Sequence, residues 1–231
     1  MKRLGNLALQ LCATAFLALL VPACGGNDHH DAAAPGGSSS ATPLFSEDFS
    51  TAFPGTAWSV PFSSGSGTSI LVDGSEGNPA PSLAMTTSAG GSFVGTTTLM
   101  SFSSRPSTFS VQMSATGTGE GSGGIAILDS TGVSVAAAEW HAATPSALTF
   151  QILGTTNATP VAVPLSGSGF HTFTFTVDAS GNATWRVDAL TVMSLGGFPS
   201  DVMRLQLYDN ISSSGATYAT FRFDNVAVTS P

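Results

Sequence analysis

The sequence predicts an all-β protein built from two antiparallel sheets packed face to face as a sandwich. Three observations carry that prediction. Apolar and polar residues alternate along short segments, most clearly in FHTFTFTVD at 170–178, where Phe173, Phe175 and Val177 fall on one face and Thr172, Thr174 and Thr176 on the other. Gly, Ser, Pro, Asn and Asp punctuate the chain between such segments, as turns require. No stretch after residue 43 holds an apolar period of 3.6 residues with capping signals at its ends.

Taken in order, an opening segment FSEDF at 45–49 is followed by strands expected near 57–62, 69–73, 82–87, 92–103, 107–115, 123–129, 132–140 and 147–153. The alanines of VSVAAAEW at 133–140 would suit a helical turn, but the β-branched lead-in favours a strand. The 170–178 strand leads through a turn at Ala179-Ser180-Gly181-Asn182 into ATWRVD and then LTVMS. Strands at 202–209 and 217–229 complete the chain. This many short strands in one unit calls for two layers. The first segment and the last, FRFDNVAV, are both β-rich, and pairing them would close the sandwich and protect an edge.

The chain start reads as an export signal. Met1, Lys2 and Arg3 are followed by an uncharged run, Leu11 to Val21, that is apolar apart from one Thr. That is the length of a secretory core and too short to span a bilayer. Val21, Pro22, Ala23 and Cys24 come next, and they resemble the cleavage box of bacterial lipoprotein signals. The resemblance implies that residues 1–23 are removed and that Cys24 is acylated, becomes the new N-terminus and anchors the protein. Gly25 fits sorting to the outer membrane. An ordinary secretory signal cut after Ala23, leaving Cys24 a free thiol, is the other reading of the same residues. Cys12 leaves with the signal in either case, so no intramolecular disulfide is available and the domain must stand on its own core. Residues 24–43 comprise Cys24 and a Gly/Ser-rich flexible tether with a reach of roughly 25 Å. Its NDHHD cluster has no further ligands nearby to complete a metal shell. Residues 44–231 form the sandwich domain.

Charge narrows the function classes. Loss of Lys2 and Arg3 leaves four arginines against 14 acids, a formal charge of −10, and no lysine. Such a domain does not bind nucleic acid, builds no lysine-dependent phosphate loop, and gains nothing from anionic lipid. Only the lipid would hold it at a membrane. No Gly-x-Ser-x-Gly elbow occurs. Neither His141 nor His171 has a cysteine or a second histidine beside it to build a zinc site.

Three stretches, LFSEDFSTAFPGTAW at 44–58, FHTFTFTVDASGNATWRVDALTV at 170–192, and PSDVMRLQLYDN followed by FRFDNVAV, resemble in order and spacing the opening strand, hairpin and closing strands of concanavalin A-like lectin/glucanase domains. That family has a laminin-G-like jelly roll, so the resemblance implies this architecture over nearly all of 44–229. Phe170 stands where Trp is usual, and Ala189 where the turn Gly is usual. A galactose-binding-type jelly roll has similar ends and is the second choice of fold. The resemblance implies that His171 is a structural residue of the hairpin. It also makes Asp224 the match to a structural calcium ligand, with Glu47 or Asp48 across the ladder. Calcium takes six to eight oxygens and accepts backbone ones, and one such ion is the only cofactor the resemblance implies. The alternative is that Asp224 accepts backbone N–H groups.

Glycanases of this fold carry Glu-x-Asp-x-Glu on one strand, so that alternation places acid/base and nucleophile about 5–5.5 Å apart on one face. No strand here has that pattern, which argues against an enzyme. The corresponding region, GGIAILDSTGVSVAAAEWHA, holds Asp129 and Glu139, which form a catalytic pair only if strand pairing brings them together. For binding, Trp140 shares a face with Ser134, Ala136 and Ala138, and small neighbours would leave its ring as an open platform for a sugar. Glu139, His141, Asp209 and Asn210 would supply the polar groups. The competing reading buries Trp140 in the core above those alanines. Trp58 and Trp185 read as core, with Arg186 pointing outward.

The sequence thus leads to a lipid-anchored, exported, non-catalytic carbohydrate-binding or interaction module at the outer membrane, facing periplasm or cell surface, with a glycan or an envelope component as partner. Two other classes fit the same residues: a divergent glycan hydrolase using Asp129 and Glu139, and a structural envelope lipoprotein with no ligand. Metabolic labelling with palmitate tests the anchor. Label is expected in the full chain and is expected to vanish in Cys24→Ser, with the variant leaving the membrane fraction.

Overall fold

The computed structural model describes residues 41–65, 67–88, 91–102, 107–117, 119, 121–142, 147–156, 161–162, 169–198, 203–211 and 219–230. The segment read as a signal, Cys24 and all but the last residues of the segment read as a tether lie outside them. Among the described residues there is no helix, and every strand pair is antiparallel.

The strands are β1 (Thr42–Glu47), β2 (Phe62–Gly65), β3 (Thr68–Asp73), β4 (Ser82–Thr87), β5 (Gly91–Thr97), β6 (Ser107–Thr116), β7 (Ser122–Leu128) and β8 (Ser134–His141) in the first half of the chain. The second half adds β9 (Ala147–Ile152), β10 (Thr155–Thr156), β11 (Val161–Ala162), β12 (His171–Val177), β13 (Ala183–Val187), β14 (Leu190–Leu195), β15 (Arg204–Asn210) and β16 (Thr220–Ser230). One sheet runs β14-β13-β12-β6-β16-β4-β3, with β1 also on β16. The other runs β10-β9-β8-β7-β15-β5-β2, with β11 also on β9. This is the expected two-layer antiparallel sandwich.

Alternation decides which side of each strand is buried. In β12, His171, Phe173, Phe175 and Val177 are buried while the threonines between them are half-exposed. In β8 the buried positions are Ala136, Ala138 and Trp140. Rings of one sheet meet both rings and glycine on the other. Trp185 of β13 tilts over Phe150 of β9 at 6.1 Å and donates its Nε1–H to the Gln151 carbonyl, 3.2 Å, across the layers. Phe221 of β16 fills the space a Cβ would need at Gly123 of β7. Each such ring buried from water contributes about 1.5–3 kcal/mol.

The chain ends pair as anticipated. β1 lies along β16, with Glu47 opposite Val226, and β4 covers the other part of the same β16 edge, with Phe221 opposite Met85. Between these halves β16 bulges at Asp224–Ala227, and Asn225 takes φ 46°, a left-handed conformation that Asn tolerates.

Three expectations differ in detail. The segment expected as a strand at 57–62 makes only a bridge from Trp58 to Thr98, and the strand proper starts at Phe62. Pro61 lies within it and offers no N–H to a ladder. The expected strand at 92–103 ends at Thr97, and Phe102 makes a separate bridge to Met203. The two-residue strands β10 and β11 were too short to leave a periodic signal.

Candidate functional site

The outward face of the β10–β2 sheet carries the richest chemistry. Cross-strand register arranges it in rows. One row holds Thr149 of β9, Glu139 of β8, Gly124 of β7, Tyr208 of β15, Gly95 of β5 and Phe62 of β2. The row beside it holds His141, Ser122, Asn210, Phe93 and Ser64. On the other side stand Gln151, Ala137, Ala126, Gln206 and Thr97.

Two glycines shape this surface. A Cβ on Gly124 would overlap the Tyr208 ring, and one on Gly95 would lie 3.1 Å from Cζ of Phe62. Without side chains there, the rings of the neighbouring strands lie down across the sheet. Tyr208 reaches over β7 and donates its hydroxyl to Glu139 Oε1 on β8 at 2.8 Å. Phe93 stacks on Tyr208 at 5.7 Å, and Phe62 stacks on Phe93 at 5.5 Å. The result is a run of three aromatic rings ending at a carboxylate. Burial is the main cause that pushes the Tyr208 hydroxyl well above the usual phenol range, with the Glu139 charge adding to it. The hydroxyl therefore stays a donor. Phe62 keeps 39% of its surface exposed, whereas Tyr208 keeps 7%. Beside the rings opens a cleft of about 410 Å³ whose lining includes Phe93, Glu139, Thr149, Gln151, Gln206 and Asn210.

The expected site residues divide between the two faces. Glu139, His141 and Asn210 come together on this surface, and His141 Nε2 lies 3.0 Å from Thr149 Oγ1. Trp140 and Asp209 point the other way. Trp140 is 4% exposed and packs in the core against His171 at 5.6 Å and Phe173 at 6.3 Å. Ala136 and Ala138 beside it are fully buried, so they make no open platform. Asp129 sits in the β7–β8 turn, where its Oδ1 accepts from Thr131 N, Thr131 Oγ1 and Val133 N. Those bonds, the Thr131 hydroxyl first, lower its pKa. Glu139 is opposite Gly124, five residues back along β7 from Asp129. At ~3.3 Å per residue the two acids stand about 16 Å apart, too far for a glycosidic carboxylate pair.

The sequence reading missed Tyr208, Phe62 and Phe93. Parity in β15 could have found Tyr208, because Leu205 and Leu207 bury inward and so send 206, 208 and 210 outward. His171 is structural, as the hairpin resemblance implied. It is buried, and its Nδ1 lies 2.9 Å from Asp188 Oδ2, while Thr172 N donates to Asp188 Oδ1.

Asp224 and Asp48 lie at the seam of the chain ends. Asp224 is buried and accepts from Asn78 N at 2.6 Å and from Asn225 N at 2.7 Å, which satisfies the backbone-capping alternative. Its pKa is raised, first by burial, and the charge of Asp48 contributes in the same direction. A cleft of about 550 Å³ beside it is lined by Glu47, Asp48, Thr51, Asn225 and neighbouring backbone. Among the described residues no three acidic, His or Cys side chains converge to hold a metal. An ion in that cleft would meet Asp48, while Asp224, which does not line it, accepts backbone N–H groups at both oxygens.

No family model matches the sequence, and no curated protein matches it. Solved structures do match by fold. One comes from work on endo-acting O-glycanases that prominent members of the human gut microbiota express to initiate mucin breakdown; it is 14% identical, with 82% of this chain and 100% of that one covered and a TM-score of 0.61. A non-specific endo-β-1,3(4)-glucanase from family GH16 is 14% identical over 83% of this chain and 91% of its own, TM-score 0.58. The Bacillus licheniformis β-glucanase is 12% identical over 81% and 97%, TM-score 0.57. The fold is thus the concanavalin A-like jelly roll of the glucanases.

Asp209 provides a test of the inward assignment. It is 1% exposed, Oδ2 has no hydrogen-bond partner among the described residues, and burial raises its pKa to about 7, against the opposing pull of Thr87 and Asn210. The folded state holds the proton more tightly than the unfolded chain. Stability from this group is therefore greatest below about pH 4 and declines by a few kcal/mol as pH rises towards 7. Asp209→Asn is expected to melt at a higher temperature than the parent at pH 8, the difference shrinking towards pH 4. Melting curves across that range check it.

Proposed function

We propose that the protein is an exported, lipid-anchored carbohydrate-binding module that holds a glycan on the outward face of its β10–β2 sheet without cleaving it. The observation that carries this reading is the run of Phe62, Phe93 and Tyr208 ending at a single carboxylate. Aromatic faces stack on the C–H faces of sugar rings, and Glu139, Gln151, Gln206 and Asn210 pair with hydroxyls. A hydrolase needs two carboxyl groups flanking one bond. Among the described residues, Glu139 is the only acid lining this cleft, and one of its oxygens is engaged by Tyr208. Residues Ser122, Gly124 and Ala126 occupy the outward positions of β7, so no alternating acids stand there. The anchor at Cys24 and an outer-membrane address complete the proposal, on the strength of the signal-like segment.

A glycan array with the full chain is expected to show binding, and Phe62→Ala is expected to reduce it about tenfold while leaving the melting temperature nearly unchanged, because the ring is partly exposed. Reducing-sugar release that disappears in Glu139→Gln would favour the hydrolase instead. Silence in both assays would leave the purely structural reading.

The proposal includes a calcium ion at the β1–β16 seam, supported by the like charges of Asp48 and Asp224. Calcium at a hundred times its Kd is expected to stabilise the chain by about 2.7 kcal/mol relative to chelator. An identical melting temperature in both conditions would rule the ion out.

A further inference from the structure

We propose that this cleft accepts uncharged glycans and refuses anionic ones, with Glu139, held by Tyr208, as the group that reads a sugar hydroxyl. The inference rests on the carbohydrate-binding reading and adds the class of ligand.

It follows from where charge sits. The cleft lining among the described residues contains no cation. Arg204 is on the same outward face of β15 but does not line the cleft, and its Nε is engaged by Ser101 Oγ at 3.0 Å. Arg186 and Arg222 belong to the other sheet, where Arg186 bonds Thr191 and Arg222 pairs with Asp73. A uronate, sulfate or sialate carboxylate in this cleft would meet Glu139 with no arginine or lysine among the described lining residues to neutralise either charge. Like charges brought together on a partly desolvated surface repel strongly, and the chain's net charge of −8 adds a repulsive field at longer range.

The neutral groups suit the opposite ligand. Amides of Gln151, Gln206 and Asn210 and the Thr149 hydroxyl both donate and accept, as sugar hydroxyls do. Tyr208 donates to Oε1 of Glu139, which fixes the plane of the carboxylate. Oε2 has no donor among the described residues, and Glu139 lines the cleft. A charged acceptor held in one orientation makes a stronger hydrogen bond to a hydroxyl than a neutral amide does. Tyr208 is thus a positioning residue, and Gly124 is what lets its ring cross β7 to reach Glu139.

Matched polysaccharides that differ in charge test this: hydroxyethylcellulose against carboxymethylcellulose, agarose against κ-carrageenan, and desialylated against sialylated mucin, titrated against the full chain at low ionic strength. At least one neutral member is expected to bind about tenfold tighter than its anionic partner. Glu139→Gln is expected to weaken the neutral ligand and narrow the gap, since it removes the repelling charge. Tyr208→Phe, which keeps the ring over Gly124, is expected to weaken the neutral ligand several-fold with the gap retained, and its near-ultraviolet circular dichroism shows whether the fold persists. If an anionic member binds as well as its neutral partner, or the gap is unchanged in Glu139→Gln, the inference fails while carbohydrate binding stands. If no member of any pair binds, the carbohydrate-binding reading fails and this inference with it.

Discussion

Rings from the two layers interlock with one another and with a glycine, and the rest of the molecule depends on that match of volumes. Phe221 projects from β16 into the space that Gly123 leaves empty, and Trp140 from β8 packs against His171 and Phe173 of β12. No cysteine falls in residues 44–231, so no disulfide can close the sandwich. Packing alone holds it, and interiors of this density tolerate little added volume.

The same device operates in miniature on the outside. Consecutive glycines in β7 face opposite ways: Gly123 admits a ring from the opposite sheet, and Gly124 admits Tyr208 from the neighbouring strand. Glycine is usually a weak choice inside a strand. Here it lets a tyrosine lie across the sheet and place its hydroxyl on a carboxylate two strands away. The surface is therefore built by the absence of side chains as much as by their presence. The proposed carbohydrate-binding function rests on this aromatic floor and the acid oriented beside it.

The two families of carboxylates have opposite electrostatic fates. Those in turns, such as Asp129 and Asp178, accept hydrogen bonds from their own loops and are held below the ordinary range. Those turned inward, Asp209 and Asp224, are raised by burial. In a chain so poor in cations, backbone N–H groups and hydroxyls do most of the neutralising. The Arg222–Asp73 pair between β16 and the end of β3 is a cationic exception among the described residues.

Period-two alternation, turn residues and the want of helical periodicity were enough, from sequence, to establish an all-β sandwich and which residues of β12 face inward. The similarity of the chain ends to one another as strands was enough to pair them. The face of Trp140 was undecided from sequence, because alanine neighbours are equally consistent with an open platform and with a core filled by rings from elsewhere in the chain. Nor could spacing tell that Asp129 and Glu139 diverge, since ten residues around a turn return to the same row in one register and, as here, to rows far apart in another. Tyr208, Gly124 and Glu139 come from three separate strands. Their meeting depends on strand order and register, which local alternation does not encode.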